Sequence, residues 1–162
     1  EINYGFGVST RWRNFDISIF FQGVDHVSRV VGGSNLYGQN GSILYYGQIF
    51  KDVAENRWSE FTRDPNSEYP RMSMVSNANN SRSSTFWLRD MSFLRLKNAE
   101  IGYSLPKNLI RKVGLSTLRF YVQGVNLLTF SGFKLWDPEL DTNYGNSYPQ
   151  MRNITLGMNL NF

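Results

Sequence analysis

The stretch Asn153-Ile154-Thr155-Leu156-Gly157-Met158-Asn159-Leu160-Asn161-Phe162 decides the fold class of this chain. Apolar residues alternate along it with polar or small residues without exception, which is the period of a β-strand with two different faces. A tilted strand needs about ten residues to cross a bilayer, whereas strands of soluble proteins usually have about five or six. The alternation alone is compatible with a soluble sheet and with an outer-membrane barrel.

Two segments near the start of the chain alternate in the same way and predict a hairpin of long strands. A tight turn at Arg13-Asn14 separates them. Phe20 is an exception, because it is an aromatic residue on the polar side of the second strand. The predicted apolar faces are Tyr4, Phe6, Val8, Thr10 and Trp12 in the first strand, and Phe15, Ile17, Ile19 and Phe21 in the second.

The remaining two predicted strands complete a set of five. One runs from about Thr85 to Leu105, and its alternation changes phase at Lys97-Asn98, which predicts a β-bulge. The other runs from Thr117 to Leu128, and its pattern weakens beyond Gly124.

The connections between these strands are alternately short and long. About 60 residues lie between Asp25 and Ser84, and about 20 lie between Thr129 and Pro149. A soluble sandwich rarely contains such long structureless loops, whereas transmembrane barrels combine short periplasmic turns with long extracellular loops. We therefore expect extracellular loops at about 25–84 and 129–149 and a periplasmic link at about 106–116. The link contains either a short helix after Pro106 or a plain turn.

Composition narrows the function classes. Apolar residues make up 41% of the chain and aromatic residues 15%, and there is no cysteine, which argues against a disulfide scaffold, a thiolate metal site and a cysteine nucleophile. The formal net charge is +4 and the pI is about 9.4, but the basic residues are scattered. We therefore expect no nucleic-acid partner.

Residues for catalysis or metal binding are sparse. His26 is the only histidine, and nothing near it in the sequence completes a metal cluster or a catalytic triad. Asp137, Glu139 and Asp141 have a spacing that could suit calcium, but the glycine and glutamate of an EF-hand loop are missing. We predict a protein that is not an enzyme, with no catalytic residue, no bound metal and no cofactor.

The segment Phe93-Leu94-Arg95-Leu96-Lys97-Asn98-Ala99-Glu100-Ile101-Gly102-Tyr103-Ser104-Leu105-Pro106 carries a family resemblance. It resembles the FLRLKN-x-x-x-GY-x-LP signature near the end of SusC/RagA family TonB-dependent outer-membrane transporters. Nearly the whole chain resembles that family, and the long loop is the least similar part. Similar companion segments are Tyr4-Gly5-Phe6, Asn14-Phe15-Asp16, Phe21-Gln22-Gly23, Trp87-Leu88-Arg89-Asp90, Leu118-Arg119-Phe120-Tyr121-Val122 with Gly124, Asn126-Leu127-Leu128, Asp137-Pro138-Glu139 and the terminal aromatic residue.

The resemblance implies that residues 1–162 are the C-terminal part of such a receptor. They would form the last five strands of a 22-stranded transmembrane antiparallel β-barrel in the outer membrane of Gram-negative Bacteroidetes, with the N-terminal plug absent here. The implied function is TonB-energised import of oligosaccharides or peptides. The implied partners are the rest of the barrel and its plug, a SusD-like lipoprotein, the TonB complex through the missing N-terminal part, the barrel-insertion machinery, lipid and lipopolysaccharide.

Candidate residues fall into four groups. Polar strand residues are predicted to face the lumen, namely Arg95, Arg119, Tyr121, Gln123, Asn159 and Asn161. Loop aromatics are predicted to contact substrate or partner, or else to pack within the loops, namely Trp58, Tyr69, Trp136 and Tyr144. The last strand is predicted to act in barrel assembly, or only as a lipid anchor, through Leu156, Met158, Leu160 and Phe162. The predicted girdle residues at the membrane surface are Trp12, Trp87 and Tyr103.

One alternative stays open for the whole chain. A secreted β-sandwich could present the same alternating strands and could grip carbohydrate through its aromatic side chains.

Overall fold

The structure of the chain is a computed structural model, and it describes residues 1–32, 49–73, 77–111, 114–140 and 142–162. The long strands are β1 (Ile2–Trp12), β2 (Phe15–Asp25), β5 (Phe93–Ser104), β6 (Thr117–Ser131) and β7 (Asn153–Asn161). Shorter elements are β3 (Ser28–Val30), helix α1 (Lys51–Asn56), a 3-10 turn (Thr85–Trp87), β4 (Leu88–Asp90) and helix α2 (Lys107–Ile110). No helix within the described ranges is long and apolar enough to cross a membrane.

The five long strands form one antiparallel sheet in the order β1-β2-β5-β6-β7. Each long strand therefore lies beside the long strand that follows it in the sequence, and β1 and β7 are the edges. Two connections are short: Arg13-Asn14 joins β1 to β2, and the link containing α2 joins β5 to β6. This confirms the predicted set of five long antiparallel strands.

The third strand was predicted from about Thr85 to Leu105, but the observed strand β5 is shorter and covers Phe93–Ser104. The chain there is divided into the 3-10 turn, β4 and β5, and β4 pairs with β3 in a separate two-stranded sheet. The break falls at Met91-Ser92, where the Ser92 amide donates to the Asp90 carboxylate at 2.8 Å. This local hydrogen bond turns the backbone away from strand pairing.

The predicted bulge is present in β5. Leu96 pairs with Phe21 and Asn98 with Phe20, so Lys97 is the extra residue between two regular pairs. On the other side the pairing also shifts, and Asn126 of β6 adopts a positive φ of 53° beside the irregularity. The bulge explains why the apolar positions of β5 change phase in the sequence while remaining on one side of the sheet.

The register gives this sheet two unlike faces. On the apolar face, partners such as Phe6 and Phe21, or Val122 and Leu156, lie opposite each other in adjacent strands. Many of these side chains are exposed, including Val8 at 68%, Ile154 at 68% and Leu156 at 78%. A soluble protein rarely leaves so wide an apolar surface uncovered.

Phe20, the exception in the sequence pattern, lies on the polar face and covers two glycines of β1. It is the direct partner of Gly7, and a Cβ atom built on Gly5 would lie 3.1 Å from its ring. The ring therefore occupies the space that side chains at both glycines would fill. An aromatic side chain over a strand glycine compensates for the packing that the glycine lacks.

The chain divides into two compact units. One contains the large sheet and comprises Glu1–Ser28, Asp90–Asp141 and Ser147–Phe162. The other, called here the loop unit, comprises Arg29–Arg89 with Thr142–Asn146. Val31, Val53, Tyr69 and Trp87 are buried in the loop unit, and the Val31 amide donates to the Trp87 carbonyl at 2.9 Å.

Two expectations about this region were wrong. We expected the stretch from Asp25 to Ser84 to be structureless, but its described part contains β3, α1 and buried side chains. Trp87 was predicted to be a girdle residue at the membrane surface, yet it is only 2% exposed, and its indole N–H donates to the Asn80 carbonyl at 2.9 Å. A buried aromatic ring with its N–H satisfied serves the core of the loop unit.

Candidate functional site

The polar face of the sheet carries a charge cluster centred on Arg119 of β6. Its Nε atom donates to Asp16 Oδ1 at 3.1 Å, a second nitrogen binds the other oxygen of Asp16, and the guanidinium also pairs with Glu100 at 2.5 Å. Asp16 lies on β2 and Glu100 on β5, so one side chain joins three strands. The guanidinium also lies 5.1 Å from the ring centre of Tyr121.

A second cluster lies further along the same face, around Arg95. Arg95 is 2% exposed and pairs with Asp137 at 2.5 Å and with Glu139 at 2.9 Å, while Lys97 pairs with Glu139 at 2.7 Å. Asp137 also accepts hydrogen bonds from the Glu139 amide at 3.0 Å and the Gln150 amide at 3.3 Å. The segment after β6 is therefore held against the polar face of β5.

The six residues predicted to face the lumen all lie on this polar face, as their register shows. Arg95 differs from the others because the segment carrying Asp137 and Glu139 covers it. Sequence reasoning did not identify Asp16, Glu100, Asp137 or Glu139 as partners of these cations. The sequence does place opposite charges at positions that belong to the same face of the sheet. The paired residues are separated by 19 to 103 residues in the chain, so the sequence does not show which charges meet.

Two of the three carboxylates considered as calcium ligands form ion pairs with side chains of the sheet. Asp137 and Glu139 face Arg95 and Lys97, which neutralise them. Asp141 lies outside the described residues. In the part of the chain that the structure describes, no group of three or more His, Cys, Asp or Glu side chains could hold a metal ion. His26 is exposed and pairs with Asp25 at 3.0 Å.

Two of the predicted contact aromatics lie together in the loop unit. Trp58 and Tyr69 line a cleft of about 610 Å³, whose other lining residues include Phe86, Asn79 and Arg82. The Tyr69 ring is 1% exposed, and its hydroxyl donates to Asp52 at 2.6 Å. Burial raises the pKa of Tyr69, and the hydrogen bond from its hydroxyl to the Asp52 carboxylate raises it further. Tyr69 therefore acts first as a structural residue, and Trp58 is the more accessible of the two.

The other two contact aromatics are not part of this cleft. Trp136 belongs to the unit that contains the large sheet, where it packs edge-on against Phe133 with ring centres 5.0 Å apart. Tyr144 belongs to the loop unit and is 61% exposed. The four aromatics predicted as a contact set are thus distributed over separate places in the structure.

The residues predicted to act in barrel assembly lie on or beside the edge strand β7. Leu156, Met158 and Leu160 are on the apolar face, opposite Val122, Phe120 and Leu118 of β6. Phe162 follows the strand and is 93% exposed. Their position at an apolar edge is compatible with both proposed roles, assembly and lipid contact.

Comparison with known proteins gives relatives over the whole chain. No family model matches it. TonB-dependent receptor P3 of Formosa agariphila is 35% identical across the full chain, and TonB-dependent receptor P26 of the same organism is 30% identical. The chain spans 16% and 17% of the lengths of these two relatives.

Solved structures agree with these relatives. The structure of the RagAB peptide transporter matches 96% of the chain with a TM-score of 0.75 and 25% identity, and the chain covers 17% of the matched chain. The RagAB peptide importer in its closed-closed state matches 98% of the chain with a TM-score of 0.74.

The antiparallel sheet and the relatives together place the chain among the TonB-dependent receptors. Its match to RagAB assigns it to the SusC/RagA-type receptors, of which it is a portion.

Proposed function

We propose that this chain forms part of the wall of a TonB-energised importer in the outer membrane. The observation that carries the proposal is the five-stranded sheet with one apolar and one polar face. In a transmembrane barrel the apolar face contacts lipid and the polar face lines the interior. The Arg119 cluster, with its ion pairs across three strands, would then stiffen the inner surface of the wall.

The edges of the sheet indicate how the wall continues. The outer sides of β1 and β7 carry backbone N–H and C=O groups that have no neighbouring strand in the described structure. Such groups cannot remain unpaired in lipid, so further strands of the same receptor must pair with both edges. We propose that these strands complete a 22-stranded barrel around an N-terminal plug, and that the barrel-insertion machinery assembles it.

The two short connections and the two long ones leave opposite ends of the sheet, which suggests an orientation. Periplasmic turns are short in outer-membrane barrels and extracellular loops are long. We therefore place the β1–β2 turn and the link at about 106–116 in the periplasm. The connections at about 25–84 and 129–149 would lie outside the cell, where lipopolysaccharide surrounds the receptor.

Cargo and partner are proposed from the relatives. RagAB is described as a peptide transporter and peptide importer. We propose that the present receptor imports oligosaccharides or peptides together with a SusD-type surface lipoprotein, using energy that the TonB complex supplies through the N-terminal part of the receptor. Tyr144 is exposed, and Trp58 lines the cleft of the loop unit, so both are candidates for such contacts.

The alternative of a secreted β-sandwich requires a second sheet to cover the apolar face. The other sheet in the described residues pairs β3 with β4, which have three residues each. Elements this short cannot cover five strands of nine to fifteen residues. The wall of a barrel therefore accounts better for the exposed apolar surface.

Two adjacent residues of β6 test the proposal in the full-length receptor. Val122 lies on the apolar face and Gln123 on the polar face. An arginine on the lipid side costs about 2–4 kcal/mol near the middle of the bilayer, whereas the interior tolerates it. We expect Val122→Arg to reduce the folded receptor in outer-membrane fractions and Gln123→Arg to leave it unchanged, as measured by heat-modifiable migration. Equal effects of the two variants, or a receptor that fractionates as a soluble protein, would contradict the proposal.

A further inference from the structure

The two short connections of the large sheet meet at the same end and are bound to each other. The Asn14 side-chain amide donates to the Ser104 carbonyl at 2.6 Å, and the Ser104 amide donates to the Asn14 carbonyl at 2.8 Å. The Leu105 amide donates to the Leu118 carbonyl at 2.8 Å. These bonds hold the β1–β2 turn and the start of the link in fixed positions.

A cleft of about 500 Å³ lies between these connections. Three cationic side chains line it, Arg11, Arg13 and Lys107, and its lining contains no aspartate or glutamate. None of the three side chains forms a salt bridge with another described residue. We call this place the basic cleft.

Of the three cations, Arg11 has a carboxylate as its partner in the adjacent strand. Asp16 is the cross-strand partner of Arg11, but both of its oxygens are engaged by Arg119. Asp16 and Glu100 carry two negative charges against the one positive charge of Arg119, and the negative charge left over compensates Arg11 on the polar face. Arg13 and Lys107 form no salt bridge with a described residue, so these two cations of the basic cleft favour an anion.

Aromatic side chains of the apolar face mark the same end of the sheet. Trp12 is 67% exposed, and the Arg13 guanidinium lies 5.1 Å from its ring centre. Phe15 and Tyr103, on the next two strands, contact each other with ring centres 4.7 Å apart. Exposed aromatic residues on the lipid-facing side of a barrel lie at the level of the headgroups. The basic cleft is thus beside the level where lipid phosphates are found.

We propose that Arg13 and Lys107 of the basic cleft bind the phosphate group of an anionic phospholipid from the periplasmic leaflet of the membrane. Arginine suits phosphate because its planar donors can bind two oxygens at once, and lysine adds a compact positive charge. A phospholipid should bind this site with higher affinity than free phosphate, because its acyl chains also contact the exposed apolar face beside Trp12. The inference rests on the proposed membrane location, and it adds a specific lipid site that the location alone does not require.

The test uses the purified full-length receptor and phosphatidylglycerol as the probe. Binding of single lipid molecules is measured by native mass spectrometry, with phosphatidylcholine and inorganic phosphate as the competing probes. The test variant combines Arg13→Gln and Lys107→Gln. The matched control combines Arg63→Gln and Lys134→Gln, which removes the same charge from exposed positions elsewhere.

Each cation near a lipid surface is worth roughly a fivefold change in affinity, so the double variant should bind phosphatidylglycerol about twenty-five-fold more weakly. The control should bind like the unmodified receptor, and added salt should weaken binding in both. Undiminished binding by the double variant would overturn the inference. Displacement of the lipid by equimolar inorganic phosphate would also overturn it, because the site would then be one for a free anion.

The outcomes separate this inference from the proposed function. If the receptor variants fold and fractionate with the outer membrane but the double variant keeps its lipid, only the basic cleft has been misassigned. If the receptor itself is not found in the outer membrane, the proposed function fails first.

Discussion

The Nζ atom of Lys97 lies 2.7 Å from Oε1 of Glu139. Lys97 is the extra residue of the β5 bulge, so the position that interrupts regular pairing also supplies a cation to the segment after β6. Arg95, two residues earlier, binds both Glu139 and Asp137 of that segment. The bulge and the two cations therefore fix the start of a proposed extracellular loop onto the polar face of the sheet.

Breaking this attachment should loosen the segment without unfolding the sheet. Asp137→Asn removes one of the two carboxylates that pair with the buried Arg95, and a hydrogen bond to a charged group contributes about 1.5–3 kcal/mol. We expect amide hydrogen exchange in residues 132–140 to rise by at least about tenfold. The control is Asp25→Asn, because Asp25 pairs with His26 at an exposed site. Unchanged exchange in 132–140 would show that Asp137 does not hold the segment.

The Arg119 cluster depends on a glycine beneath it. A Cβ atom built on Gly102 would collide with the guanidinium group of Arg119, which must then move away from Asp16 and Glu100. We expect Gly102→Ala to lower the free energy of unfolding by about 1–3 kcal/mol. Gly132→Ala is the matched control, since a Cβ atom there meets nothing within 4 Å. Urea unfolding of the full-length receptor in detergent measures both, and similar losses in the two variants would contradict the prediction.

The loop unit should depend on the hydroxyl of Tyr69. Tyr69→Phe removes its hydrogen bond to Asp52, and a hydrogen bond to a charged group contributes about 1.5–3 kcal/mol. Tyr148→Phe is the control, because Tyr148 is 79% exposed. Limited proteolysis within residues 49–73 should become faster in the first variant only. Equal cleavage rates would show that the hydrogen bond contributes little.

Alkaline pH should destabilise the loop unit by ionising the Tyr69 hydroxyl. Burial and the Asp52 carboxylate raise the pKa of Tyr69 above its ordinary value of 10.0. The neutral phenol is therefore favoured in the folded state, and its stabilisation is complete below about pH 10 and is lost as the pH rises through the folded pKa. We expect proteolysis of the loop unit to accelerate above pH 10 in the unmodified receptor. A smaller acceleration in Tyr69→Phe is expected, because that variant has no phenol at this position.

The terminal aromatic residue should influence assembly. Deleting Phe162, which is 93% exposed, should lower the amount of folded full-length receptor in the outer membrane, if the insertion machinery reads the apolar positions of β7 and the aromatic residue after them. Phe162→Tyr should preserve assembly. Heat-modifiable migration measures both variants. A deletion variant that assembles as well as the unmodified receptor would leave Phe162 with lipid contact only.

The strands could be predicted from the sequence because alternation with a period of two is a local property. The phase change at Lys97-Asn98 even located the bulge. The end of β6 was less clear, because Asn126 adopts a positive φ and interrupts the alternation before the strand continues to Ser131. Predicted and observed ends therefore differ where backbone geometry changes within a strand.

The ion pairs could not be predicted in the same way. Arg119 and Asp16 are 103 residues apart, and only the order of the strands brings them to one face. Trp87 was misjudged for a similar reason, since its burial depends on contacts within the loop unit, which shows no regular period in the sequence. Sequence reasoning thus located the sheet well and the side-chain clusters poorly.

The bulge at Lys97 also constrains how related receptors can be recombined. A crossover placed before Phe93 or after Ser104 would exchange whole strands and keep every side chain on its own face. A crossover inside β5 must bring the extra residue with it, because a donor strand without it would turn Ala99, Ile101 and Tyr103 toward the opposite side. Functional chimeras should therefore be rare among junctions within this strand and more frequent at its two ends.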